Sequence, residues 1–169
     1  MAAGEGPTYE DQVELDEFDR RLLDALQENN RLTGEELAGI ASLSAAACLR
    51  RVQRLREEGV IERDVSLLAP AALGKRVTVV VLVTLERERP DLVDAFKRSM
   101  RDAPEVLQCH YVTGPADFVL IVVADDMPGY EAFTRRYLFD RHIRRFESLV
   151  VLDRVKAATA IPLTDRRRP

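Results

Sequence analysis

Tryptophan is absent from this 169-residue chain and aromatics make up only 6% of it, which argues against a stacking platform for single-stranded nucleic acid. Cysteine is scarce: Cys48 and Cys109 offer neither zinc-ligand spacing nor a disulfide framework, and both read as small core residues. The two histidines, His110 and His142, lack a second ligand at metal spacing and read as hydrogen-bonded structural residues. No apolar stretch approaches the roughly 18 residues of a membrane span. The opening MAAGEGPTYEDQVE is acidic, the reverse of a signal peptide. The expected setting is therefore the reducing cytoplasm, with no membrane partner. Gly-x-Ser-x-Gly, a phosphate-binding glycine loop and HExxH are missing too, so no catalytic residue, metal or cofactor is assigned.

What is present is enough for one or two domains: 46% hydrophobic and 32% charged residues. The net charge of −4 argues against a general polyanion binder, but it hides a pattern. Residues 1–41 hold eleven Asp or Glu against three Arg. Between Ser42 and Arg56 stand four arginines, Arg50, Arg51, Arg54 and Arg56, and no acid. A basic island in an acidic half points to one localised anion-facing element.

Residues 1–13 show no periodicity and read as a flexible tail. Leu15, Phe18, Leu22, Leu23 and Leu26 recur at helical spacing, and Asn29-Asn30 ends that helix. Thr33-Gly34-Glu35-Glu36 has the form of a capping box opening a short second helix. Ser44 is the N-cap signal for a third, running to Glu58 with Leu49, Val52 and Leu55 expected on its inner face and Gly59 as its stop. Three short helices so spaced are a helix-turn-helix arrangement, assigned to residues 14–64. Val60–Leu68 reads either as a small β-wing or as a connector, and the Pro/Gly-bearing stretch 65–76 as a linker.

The second half, 77–160, changes texture. Val77–Leu85, Val106–Thr113, Phe118–Ala124 and Glu147–Val155 read as strands, with helices from Asp91 to Arg101 and from Met127. The order β-α-β-β-α-β is the ferredoxin-like unit, with both helices on one face. The first and third strands are apolar on both faces, so the uncovered face predicts a partner, most simply a second copy of the same sheet. The fold class is thus α+β, an N-terminal helix-turn-helix (winged-helix-like) domain joined to a C-terminal βαββαβ domain. A basic tail, 161–169, follows and reads as a solvated end.

LDEFDRRLLDALQENNR (15–31), LAGIASLSAAACLRRVQRLREEGVIER (37–63), HYVTGPADF (110–118) and VVLDRVK (150–156) together resemble the Lrp/AsnC family of bacterial and archaeal transcription regulators. The likeness spans about residues 14–160 in the family's order. It implies a winged or plain helix-turn-helix on a ligand-sensing ferredoxin-like domain, in dimers that often associate into octamers and respond to amino acids. Where the family usually starts its recognition helix with Ser-Pro-Thr, this chain has Ser44-Ala45-Ala46-Ala47. Alanine can touch a thymine methyl but cannot hydrogen-bond a base edge, so more reliance on arginine and DNA shape is expected. Sirohaem decarboxylases resemble the same architecture, and a non-DNA-binding partner subunit would share it too; the acid-free, arginine-rich third helix favours DNA.

The DNA-contact candidates are Ser44, Ala45, Ala46, Arg50, Arg51 and Arg54. The three arginines sit three and four apart, expected to face outward toward phosphates or guanine edges; the alternative is a solvated face partly paired with Glu57 and Glu58. The expected site is double-stranded and pseudo-palindromic. By resemblance, Thr113-Gly114-Pro115-Ala116-Asp117 faces an effector pocket at an oligomer interface. Thr113, Gly114 and Asp117 are candidates there, with Asp117 accepting from an ammonium group, Tyr111 beside them, and Ser148 where the family often has threonine. The alternative for Gly114 and Asp117 is that they merely build the turn.

Overall fold

The structure is a computed structural model that describes residues 13–87, 89–157 and 160–163, so the first twelve residues of the expected tail and the arginines at 166–168 lie outside the described residues. The chain divides into two compact units, one comprising 1–66 with 156–169 and the other 67–155.

The first unit is built from α1 (Glu17–Glu28), α2 (Gly34–Ala41) and α3 (Ala45–Glu57). Each helix begins at a side-chain cap: Asp16 and Thr33 close full capping boxes with Asp19 and Glu36, and Ser44 accepts from the Ala47 N–H. α2 ends on Ser42 at φ 56°, ψ 43°, a left-handed conformation that usually falls to glycine. That residue forms the sharp turn into α3. Leu22, Leu37, Ala41, Cys48 and Val52 make the core, with Leu26 and Ile61 packed against it. Cys48, Val52 and Leu55 are the buried stripe of α3, whereas Leu49, expected on the inner face, is 54% exposed. The reason is periodicity: positions 48, 52 and 55 follow i, i+4, i+7, and residue 49 lies about 100° round the helix from Cys48. Residues 60–69 form no strand, so the connector, not the wing, is the expectation met. A single 3-10 turn, Pro70–Leu73, follows. After the second unit the chain rejoins the first, where the Gln27 amide pairs with both backbone groups of Ile161, at 3.0 Å from Gln27 Nε2 to the carbonyl and 2.6 Å from the Ile161 N–H to Oε1.

The second unit follows the order β1 (Val77–Leu85), α4 (Pro90–Asp102), β2 (Val106–Tyr111), β3 (Phe118–Ala124), α5 (Met127–Tyr137), β4 (Ile143–Val150). Its antiparallel sheet has the strand order β2-β3-β1-β4. Alternate residues Val79, Val81 and Val83 of β1 and Phe118, Leu120 and Val122 of β3 are fully buried beneath Val93, Phe96 and Met100 of α4 and Tyr130 and Phe133 of α5. The other face of the sheet carries Val80, Leu82, Val119 and Ile121, which are only partly buried, and an exposed Leu149. The last strand starts four residues before the expected Glu147 and ends at Val150. Its extent is set by β1, whose residues Leu85 back to Val79 pair with Ile143 through Val150. Beyond that span Leu152 and Val155 have no strand to lie against and are almost fully exposed.

Candidate nucleic-acid interface and effector region

Helix α3 presents Ala46, Arg50, Gln53 and Glu57 away from its buried stripe. Ser44 is exposed at its start with its hydroxyl engaged as the cap, and Ala45 is half-buried. Arg50 is exposed and has no ion-pair partner among the described residues. Arg51 and Arg54 differ from the expected outward row. Arg51 Nη1 donates to Asp16 at 2.7 Å and to Asp19 at 2.8 Å, and Arg54 Nη2 donates to Asp19 at 2.6 Å. Asp19 is 1% exposed, so two half-buried guanidinium groups neutralise one buried carboxylate. The two arginines therefore turn toward α1, where the opposite charge lies, and α3 is tied to α1 through them.

The electrostatics agree with the geometry. Hydrogen bonds from Arg51 to Asp19 and then to Asp16 push the Arg51 pKa further up. Asp16 is held below the ordinary carboxylate range, first by the Asp19 backbone N–H and then by Arg51. Arg51 also lies 5.5 Å above the centre of the Phe18 ring. The Asp16 and Asp19 roles were missed from the sequence. Their one local signal was the Asp-x-x-Asp spacing at the first turn of α1, which announces a cap but not a partner 32 residues away.

In the second unit the effector candidates fall into two groups. Thr113 and Gly114 are exposed at the β2–β3 turn, where Gly114 adopts φ 139°. Asp117 beside them is a structural clasp: its N–H donates to the Val83 carbonyl at 2.9 Å, and its Oδ2 accepts from the Leu85 N–H at 2.6 Å. That bond catches β1 where its register with β4 shifts. Tyr111 is half exposed, its ring 5.0 Å from that of Phe118, with Lys97 Nζ 4.8 Å from its centre. Ser148 stands apart on β4, its hydroxyl 2.5 Å from that of Tyr130. Burial pushes the Tyr130 pKa up, and the Ser148 hydrogen bond acts in the opposite sense. Because β2 and β4 are opposite edges of the four-stranded sheet, Tyr111 and Ser148 are separated by three strand spacings, about 14 Å. One chain does not bring the two groups together. Lys97 was not foreseen, because only the tertiary packing of α4 on β2 brings it over Tyr111. A surface hollow of about 520 Å³ lies elsewhere, among Phe139, Ile143, Arg144 and Phe146, and none of the candidate effector residues lines it.

Family models match both units: a winged helix-turn-helix DNA-binding model over residues 15–62 and the Lrp/AsnC ligand-binding domain over 78–161. The chain is 56% identical to the HTH-type transcriptional regulator y4tD of Sinorhizobium fredii, over 89% of this chain and 90% of that one. The chain belongs to the Lrp/AsnC family. As a member it is a DNA-binding transcriptional regulator, and the family is one of regulators, not enzymes. It is 31% identical to the leucine-responsive regulatory protein of Escherichia coli, covering 90% of this chain and 94% of that protein. Among solved Lrp/AsnC-like structures, a transcriptional regulator of Neisseria meningitidis in complex with L-Met superposes with a TM-score of 0.84. It shares 33% identity and covers 89% of this chain and 97% of that one. No helix among the described residues is long and apolar enough to cross a membrane.

Proposed function

We propose that this Lrp/AsnC regulator binds a pseudo-palindromic double-stranded site in the cytoplasm through Ser44, Ala45, Ala46, Arg50, Arg51 and Arg54. Arg50 reaches DNA directly, while Arg51 and Arg54 offer DNA only the guanidinium N–H groups not bonded to Asp16 and Asp19. The domain boundaries of this reading are 14–64 for DNA binding, 65–76 for the linker and 77–160 for sensing. The observation that carries it is the outer face of α3: an exposed arginine and a glutamine on a capped helix start that holds no acid before Glu57.

A homodimer forms over the open sheet face. Its support is the row Val80, Leu82, Val119 and Ile121, too apolar to face water and left uncovered by α4 and α5. Such dimers then associate further, up to octamers. The effector is an amino acid or a related small metabolite, held where protomers meet by Tyr111, Thr113, Gly114, Asp117 and Ser148. The roughly 14 Å between the two groups favours a shared site, since a second copy can bring one chain's Ser148 edge to another's hairpin. The L-Met complex of the Neisseria relative supports an amino acid as the class. Effector binding acts by favouring one association state over another, by no more than its difference in affinity for the two.

The test is fluorescence anisotropy with labelled DNA from the gene's own upstream region, at two salt concentrations and with or without pooled amino acids. Saturable binding that beats scrambled competitor and shifts with the pool supports the whole reading. Specific binding without a shift removes the effector assignment. Binding no better than to scrambled DNA, here and in a genome-wide pull-down, removes the DNA-contact assignment and leaves a partner subunit.

A further inference from the structure

Six residues of α3 between Ala46 and Glu57 are exposed: Ala46, Leu49, Arg50, Gln53, Arg56 and Glu57. Two of them are occupied within the unit, since Arg56 pairs with Asp64 at 3.0 Å and Leu49 lies against Gly34 at the start of α2. Ala46, Arg50, Gln53 and Glu57 remain, the first three spaced i, i+4, i+7 in one row. At about 100° per residue, that row lies roughly 160° from the buried stripe of Cys48, Val52 and Leu55. From the first to the last the helix rises about 10 Å, enough to span the two steps, about 7 Å, that separate three consecutive base pairs.

Each member carries a distinct reading chemistry. Arg50 has no ion-pair partner among the described residues, and its fork matches guanine O6 and N7. Gln53 donates from Nε2 to Glu57 Oε1 at 2.9 Å. This bond fixes which side of the amide bears nitrogen, and it leaves one N–H and Oε1 to pair with adenine N7 and N6. The Ala46 methyl group can only meet a thymine methyl. We infer that Ala46, Arg50 and Gln53 read three consecutive base pairs presenting thymine, guanine and adenine in that order along the helix, with Glu57 positioning Gln53. Arg51 and Arg54, anchored by Asp16 and Asp19, contribute no base preference.

This inference rests on the DNA-binding reading above, and the experiment separates the two. The full-length protein selects from a randomised duplex library, and Arg50→Lys and Gln53→Ala are run in parallel. Binding to the best site is then measured against salt. The parent selects a half-site containing the triplet. Arg50→Lys keeps the charge and the salt slope but loses the fork, so discrimination at guanine falls about tenfold. Gln53→Ala erases the preference at adenine alone, again about tenfold. A parent that selects a motif which neither Arg50→Lys nor Gln53→Ala alters overturns the inference and leaves the regulator intact. A parent that selects no motif overturns the inference and the DNA-contact assignment together.

Discussion

Replacing Asp19 with asparagine tests whether α3 is held in place by charge. Asp19 Oδ1 accepts from Arg51 at 2.8 Å, and Oδ2 accepts from Arg54 at 2.6 Å and from the Asp16 N–H at 3.2 Å. Asparagine keeps the shape and one acceptor oxygen. It presents an NH₂ group to a guanidinium or to the Asp16 N–H, and it removes the charge from both arginines. Hydrogen bonds to charged groups contribute about 1.5–3 kcal/mol each, and breaking a buried pair costs about 3–5 kcal/mol. Those figures are upper bounds here, because Arg51 is 30% and Arg54 41% exposed and Arg51 keeps Asp16. A loss of about 2 kcal/mol results, roughly a 30-fold rise in opening. In melting temperature that is about 8–16 °C for a unit of this size. Hydrogen exchange reads it locally: protection of the most protected α1 and α3 amides falls about 30-fold, while β1 and β3 are unchanged. Arg50→Ala, on the exposed side of the same helix, changes protection less than threefold. If Asp19→Asn leaves the α1 and α3 amides within twofold of the parent, the buried carboxylate does not hold the two helices.

Ser42→Gly relieves a left-handed backbone at φ 56° and raises stability by about 0.5–1 kcal/mol in denaturant melts. Gly114→Ala meets no atom within 4 Å, yet φ 139° is a glycine conformation. A loss of about 1–3 kcal/mol, read from the same melts, is therefore the result expected of strain alone. Asp16 and Glu36 both have depressed carboxyl pKa values, the first held mainly by the Asp19 N–H and the second by the Thr33 N–H. Their contribution is full above the ordinary carboxylate range and is lost as pH falls through the depressed values. The helix-turn-helix unit should hold a constant melting temperature from pH 7 to 5 and lose it progressively below about pH 4. Melting that stays level down to pH 2.5 contradicts this.

Features written in neighbouring residues were legible in advance. Ser44 caps α3 and Thr33 pairs with Glu36 because each partner is three residues away, so the spacing alone states the bond. The two-sided apolar strands were legible because alternation along one strand reports both faces at once. Helical spacing puts Arg51 and Arg54 in an outward row with Arg50, because it says which residues share a face and nothing about the charge on the neighbouring helix. Likeness to the family makes Ser148 a candidate ligand contact, but nothing local shows that its hydroxyl meets that of Tyr130, 18 residues earlier and on the helix layer. The end of β4 was misplaced for a related reason: Leu152 and Val155 have strand-like side chains, but β1 ends the pairing at Val79.

The sequence by itself determined the caps of α2 and α3, the helix-turn-helix, the order of strands and helices and the family, all of which depend on local bonds, periodicity or residue-by-residue likeness. Tertiary structure alone decided which arginines of α3 remain free, that Asp117 clasps β1, and that Tyr111 and Ser148 lie on opposite sheet edges. Each of those depends on where a distant segment comes to rest. Ion pairs and strand register are interactions in space, and their range along the chain has no limit that spacing can encode.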